Sequence, residues 1–187
     1  MKFIFILIFF IYNNAYAVDT FRVESDIGIM SHKYGALIVA YYEDYQIKLQ
    51  EPYYLDPSYL DHSTWNPIFA NGGVILYNKK KHLCIQFKYG DLTAPYASTC
   101  YLKNLGNANN LDSLDSYTFR RIPSIQGSFL LQFKNTELCL LAKWLGSIYY
   151  PFITKCPELN DDVDVGFLWS FVPKVGSSFA AQPLSIN

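Results

Sequence analysis

Two stretches of this chain repeat one another, and the repeat constrains the fold more than any other feature. Ile75-Leu76-Tyr77-Asn78-Lys79-Lys80-Lys81-His82-Leu83-Cys84-Ile85 lines up with Leu130-Leu131-Gln132-Phe133-Lys134-Asn135-Thr136-Glu137-Leu138-Cys139-Leu140. Each copy reads as a strand, a polar turn, and a second strand carrying a cysteine between apolar neighbours. A weaker third copy runs from Ile29 to Val39, with Ile38 in the cysteine's place and Lys33, Lys79 and Lys134 at one repeat position. Each copy closes on an aromatic and then a proline: Trp65 with Pro67, Phe119 with Pro123, Trp169 with Pro173. The units are about 50 residues long. One such unit cannot bury its own apolar face, but three around a common axis can, which points to a β-trefoil. A β-sandwich with chance similarity is the competing architecture. No long segment places apolar residues at i, i+3, i+4 and i+7 between caps, so the class expected is all-β.

Composition agrees without deciding the matter. The 16 Tyr and 14 Phe suit a pleated, half-buried surface, although an AT-rich genome supplies the same residues. Lys and Arg number 15 against 16 Asp and Glu. Such a chain has no basic field with which to wrap a phosphate backbone, so direct nucleic-acid binding is not expected.

The N-terminus reads as an export signal. Lys2 is followed by the apolar run Phe3 to Ile11 and by Ala15-Tyr16-Ala17, a small-residue cleavage pattern. The run is shorter than the roughly 20 residues a membrane helix needs. Cleavage is expected after Ala17. The domain division expected is a signal peptide at 1–17, an N-terminal arm at 18–27, a trefoil at 28–173 and a C-terminal arm at 174–187. The arms carry apolar residues, among them Phe21, Val23, Phe179 and Leu184. Docking of the arms on a partner is one reading, and frayed ends are the other.

An even number of cysteines after an export signal reads as disulfides. The four are Cys84, Cys100, Cys139 and Cys156, and the two intervals are nearly equal. Equivalent loops in equivalent repeats favour Cys84–Cys100 and Cys139–Cys156, while spacing alone leaves the other two connectivities open. Each closed loop stabilises by roughly 3 kcal/mol in the chain-entropy picture. A zinc site is not expected, because no C-x-x-C is present and His32, His62 and His82 stand in no ligand spacing.

Several stretches resemble the two lectin-like components, A and C, of cytolethal distending toxins, which share the ricin-B-type trefoil. They are Ile29-Met30-Ser31 with Gly35, His62-Ser63-Thr64-Trp65, Gly72-Gly73-Val74-Ile75-Leu76, and Phe119-Arg120-Arg121-Ile122-Pro123 through Leu130. The resemblance runs from about Ile29 to Leu184. It is nearest to the C component, since the A component typically carries a lipoprotein cysteine and a longer Pro-rich leader. It implies a secreted protein, passing through the periplasm and acting at the host cell surface as one member of a heterotrimer. The C component does no chemistry and needs no cofactor. It joins the A component in binding the host cell and in delivering the deoxyribonuclease-like B component. A host cell-surface glycan or membrane cholesterol is the ligand the resemblance implies. The Gln-x-Trp sugar motif of ricin-type lectins is degenerate here, its nearest remnant being Leu168-Trp169-Ser170-Phe171. A trefoil protease inhibitor and a free-standing lectin module are the alternatives.

Enzyme signatures are weak. His62 and Ser63 are adjacent, and neighbours on a strand face opposite ways. The three histidines are expected on turns or at the surface. Asp161, Asp162 and Asp164 form an acidic turn without the Gly and Glu of a calcium loop, so a solvated loop is expected. The loose cholesterol pattern fits both Leu37 to Lys48 and Val74 to Lys79, and so discriminates little. Aromatic surface is the better functional candidate. Trp144, Tyr149, Tyr150 and Phe152 lie between the last two cysteines, and Tyr53 and Tyr54 lie in the Pro-containing loop from Gln50 to His62. Trp and Tyr there suit stacking on sugars or anchoring a protein, and burial of some of them in the core is the competing reading.

Overall fold

β-branched and aromatic runs become antiparallel strands in the computed structural model, which describes residues 22–23, 26–41, 46–70, 72–88, 91–100, 114–124, 127–158 and 163–176. A short β1 (Arg22–Val23) precedes three sets of four strands. The first set is β2 (Ile27–Ser31), β3 (Leu37–Ala40), β4 (Ile47–Gln50) and β5 (Asn66–Ala70). The second is β6 (Gly73–Asn78), β7 (Leu83–Lys88), β8 (Asp91–Thr99) and β9 (Thr118–Pro123). The third is β10 (Phe129–Phe133), β11 (Leu138–Trp144), β12 (Tyr149–Lys155) and β13 (Trp169–Pro173).

The outer strands of each set form a closed ring. β5 pairs with β6, β6 with β9, β9 with β10, β10 with β13 and β13 with β2. Reciprocal backbone bonds complete it: Ile27 N donates to Trp65 O at 2.9 Å and Trp65 N to Ile27 O at 2.8 Å. Closure leaves these barrel strands without an unpaired edge. The inner strands make the hairpins β3–β4, β7–β8 and β11–β12, which touch one another pairwise. Seams at Tyr149–Leu49 and Gln46–Tyr96 join them. Three repeats, a six-stranded barrel and a triplet of hairpins make the chain a β-trefoil.

The closing aromatics meet in the centre. Trp65, Phe119 and Trp169 are fully buried, as are Phe87 and Phe133. Phe133 packs on Phe87 and Phe119 with ring centroids 4.5 Å apart in each case. Full burial stabilises by about 1.5–3 kcal/mol for each large apolar side chain. Each buried indole must also place its N–H. Trp65 Nε1 donates to the Ile38 carbonyl and Trp169 Nε1 to the Leu140 carbonyl, both at 3.0 Å.

Pairing corrects the expected register of the first repeat by one residue. Met30 pairs with Leu37, Tyr77 with Cys84 and Gln132 with Cys139. Leu37, not Ile38, therefore stands in the cysteine's place. Ile38 joins Ile85 and Leu140 in the central core, whereas Cys84 and Cys139 sit in separate peripheral clusters. Strand side chains alternate faces, so a one-residue slip exchanges core for periphery. The same shift brings Lys80, rather than Lys79, level with Lys33.

Polar links join consecutive repeats; Lys33 and Lys80 are equivalent, and at their station in the third repeat Asn135 Nδ2 donates to Asp115 Oδ2 at 2.6 Å, with Lys134 one residue earlier. Lys33 reaches Asp164 at 3.1 Å, Lys80 reaches Asp61 at 2.6 Å and Lys134 reaches Asp115 at 3.2 Å. Each ties the first turn of one repeat to the segment that ends the repeat before it. Exposed pairs such as those of Lys33 and Lys80 contribute about 0–1 kcal/mol each, so they do little to hold the fold.

The N-terminal arm, expected to extend to Ile27, ends one residue earlier. Ile27 begins β2, pairs with Pro173 and closes the barrel. Upstream, Arg22 and Val23 pair with Phe69 and Ile68 of β5. At the other end Lys174 Nζ donates to Asp26 Oδ2 at 2.9 Å, so the arm expected to begin there is tied to the barrel at its first residue. The Ala17 cleavage point and Phe21, Phe179 and Leu184 lie outside the described residues.

Candidate functional site

Cys84 is bonded to Cys100 and Cys139 to Cys156. Each bond pins the base of a hairpin, β7–β8 or β11–β12. The histidines and acidic residues serve the fold. His32 and His82 are exposed on turns, with His32 Nε2 2.6 Å from Ser170 Oγ and His82 Nδ1 2.9 Å from the Tyr77 hydroxyl. His62, expected on a turn or at the surface, lies on a turn but is buried: its Nδ1 donates to the Ala40 carbonyl at 2.6 Å. A 3-10 turn over Pro57–His62 faces it inward, a placement no local pattern reveals. Ser63 Oγ donates to the Leu60 carbonyl, so neither member of the adjacent pair is poised against the other. Asp164 accepts from Gly166 N at 2.8 Å. That bond first, and Lys33 beside it, hold its carboxyl below the ordinary range. Asp161 and Asp162 lie outside the described residues. Among the described residues, no three His, Cys, Asp or Glu side chains gather to hold a metal ion. Leu37, Val74 and Tyr77 of the cholesterol patterns are buried, and Tyr42 is not described. Trp169 is core, so the degenerate sugar motif offers no exposed ring.

Exposed aromatics converge elsewhere. β11 and β12 register Trp144 opposite Tyr149, and the two rings pack with centroids 4.5 Å apart. Such a cross-strand aromatic pair contributes roughly 0.2–1 kcal/mol and fixes both side chains. Tyr149 packs in turn on Tyr34 at 4.6 Å. Period-two alternation sends Tyr150 and Phe152 to different faces of β12 from Tyr149 and Ile153, respectively. Ile153 is core, and Tyr150 and Phe152 are half-buried. Lys143 Nζ lies over the Phe152 ring at 5.3 Å.

Trp144, Ser147, Ile148 and Tyr149 form one wall of a cleft of about 460 Å³. Lys48, Gln50, Glu51 and Tyr54 form the other. The walls part from the seam where Tyr149 pairs with Leu49. Tyr54 is 67% exposed, and Tyr53, at 90%, meets it edge-on with centroids 5.2 Å apart. Lys48 Nζ sits 4.6 Å from the ring centroid of Tyr41 at the cleft margin. Partial burial, and then the nearby negative charge of Glu51, raise the Tyr149 phenol above its ordinary value. The phenol therefore stays protonated at neutral pH.

Of the aromatics proposed from sequence, the cleft unites Trp144, Tyr149 and Tyr54, with Tyr53 behind Tyr54. Tyr150 is not among its lining. Sequence reasoning missed Tyr34, Lys48, Gln50, Glu51 and Ile148. One local signal existed: Ile47-Lys48-Leu49-Gln50 alternates apolar and polar, which turns Lys48 and Gln50 away from the core.

Known structures share this fold over most of the chain. A ricin B-like lectin from Macrolepiota procera, solved in complex with lactose, superposes with a TM-score of 0.55 at 15% identity, covering 80% of this chain and 95% of that one. The fold is the ricin B-type β-trefoil. A cytolethal distending toxin structure from Actinobacillus actinomycetemcomitans shares this trefoil with a TM-score of 0.64 at 16% identity, covering 83% of this chain and 95% of that chain. An endo-β-galactosidase from Clostridium perfringens carries the trefoil too, with a TM-score of 0.60 at 8% identity and 79% of this chain covered. This chain spans only 32% of that enzyme's length. At these identities the likeness establishes the ricin B-type trefoil and nothing finer. No protein-family model and no curated protein matches the chain.

Proposed function

We propose that this chain is the non-catalytic, lectin-like binding component of a secreted tripartite toxin of the cytolethal distending type, nearest to the C component. In that role it joins the second lectin-like component at the host cell surface and delivers the deoxyribonuclease-like one. One observation carries the reading: the superposed toxin chain is covered over 95% of its length. That toxin chain is thus a trefoil over nearly its whole length, and the trefoil here runs from Ile27 to Pro173. The endo-β-galactosidase, by contrast, keeps two thirds of its length for other structure. The export signal and two disulfides support an extracellular site of action. The commitment of His62 and Ser63 to backbone partners supports a role without catalysis.

A free-standing lectin is the second reading, favoured by the equal 95% coverage of the ricin B-like lectin. Capture of the protein from the culture medium of its source separates the two. The toxin reading expects two co-secreted proteins, one with nuclease activity, and no plasmid cleavage by this chain alone. Capture of neither protein favours the lectin. Cleavage by the pure chain, abolished by a point substitution in it, overturns both.

A further inference from the structure

We propose that the cleft between Trp144 and Tyr54 is a binding site for a neutral hexopyranose unit of an oligosaccharide. The proposal rests on the reading of this chain as a surface-binding toxin component, and it adds the site and the charge of the sugar it takes.

The cleft is built ahead of its ligand. Trp144 is 44% exposed, and Tyr149 packs against it from within the sheet, backed by Tyr34. Three braced rings leave Trp144 little freedom to lose on binding, which is where weak sites forfeit affinity. Disulfide Cys139–Cys156 closes the base of the hairpin that carries Trp144 and Tyr149. Tyr54 faces the same space from the other wall.

The lining matches a sugar better than a lipid or a peptide side chain. A pyranose presents C–H groups on its faces and hydroxyls around its rim. Trp144 and Tyr54 offer apolar ring surface with polar handles. Lys48, Gln50, Glu51 and Ser147 offer donors and acceptors around it. At about 460 Å³ the space falls within the range of small-molecule sites, roughly 300–1,000 Å³.

Charge selects the class. Among the described residues the lining holds one cation, Lys48, and one carboxylate, Glu51. Their fields oppose one another, so the site has no net attraction for a sialic acid or a phosphate. The site also breaks the pseudo-threefold. It joins the third repeat's hairpin to the first repeat's β4, and uses neither Trp65 nor Trp169, both fully buried.

The test is a glycan array probed with the full chain, followed by calorimetry. The tightest neutral oligosaccharide is titrated beside its sialylated counterpart and beside vesicles of phosphatidylcholine and phosphatidylserine. Binding of the neutral sugar is expected, with the sialylated form no tighter. Trp144→Ala is expected to weaken binding at least tenfold. Tyr54→Ala, at an exposed position whose loss does not threaten the fold, is expected to do the same with an unchanged melting temperature. The site is overturned if no neutral glycan binds, if both variants bind as the parent does, or if only vesicles bind and free sugar does not compete. Glycan binding without capture of the other toxin components removes the assembly reading and leaves the site. Capture of those components with glycan binding untouched by either variant does the reverse.

Discussion

Trp65 donates its indole N–H to the carbonyl of Ile38 across 27 residues of sequence, at 3.0 Å. Trp169 repeats the bond to Leu140 in the third repeat, and the second repeat places Phe119, which has no donor, at the same station. Trp65→Phe keeps a ring in the core but removes the donor from a fully buried site. A loss of about 1–3 kcal/mol is expected, read from the midpoint of chemical denaturation. A loss below about 0.5 kcal/mol would mean that the indole bond contributes nothing beyond packing.

Peptide mapping without reduction is expected to recover Cys84 joined to Cys100 and Cys139 to Cys156, with no thiol left to alkylate. A Cys100–Cys139 peptide would contradict both the pairing and the equivalence of the hairpins. Replacing Cys139 and Cys156 together by Ser is expected to cost roughly 3 kcal/mol, the chain-entropy value for a loop of this size.

Asp26 links the two ends of the barrel. Hydrogen bonds from Lys174, and then from Asn66 at 2.8 Å, lower its pKa below the ordinary 3.8. The ionised group therefore adds stability that is complete above 3.8 and is lost as pH falls through the lower, folded value. Asp26→Asn is expected to be less stable than the parent at pH 7, and the gap to close on acidification below 3.8. Both side chains are more than a third exposed, so the gap should stay within about 1 kcal/mol. Melting temperature against pH decides it, and a gap that widens with acid would refute the assignment.

Truncation separates arm from barrel. A chain starting at Asp26 keeps Ile27 and its two bonds to Trp65, and is expected to stay folded with modest loss from the β1–β5 pairing. A chain starting at Gly28 opens the ring between β2 and β5. It is expected to lose a further 1–3 kcal/mol or so, the cost of leaving buried backbone groups unpaired. Equal melting temperatures for the two chains would show that Ile27 belongs to the arm.

The candidate site was half legible. The short stretch between Cys139 and Cys156 drew attention to Trp144 and Tyr149, and the Pro-containing loop to Tyr53 and Tyr54. Nothing local links the two stretches, which lie about 90 residues apart in sequence. They become neighbours because the third hairpin packs beside the first around the axis, with Tyr149 against Leu49. The burial of His62 on its turn was illegible for a related reason: it depends on the Ala40 carbonyl, supplied by another strand.

Sequence alone determined the class, the threefold repeat, the hairpin cysteines and the closing aromatics. Each is carried by local periodicity or by like spacing, and a chain encodes both directly. Tertiary structure decided the register of the first repeat, the membership of Ile27 in the barrel and the cleft between Trp144 and Tyr54. Those depend on which strand lies beside which. Pairing of non-local strands is set by the closure of the whole barrel, where a one-residue slip would exchange Ile38 for Leu37 in the core.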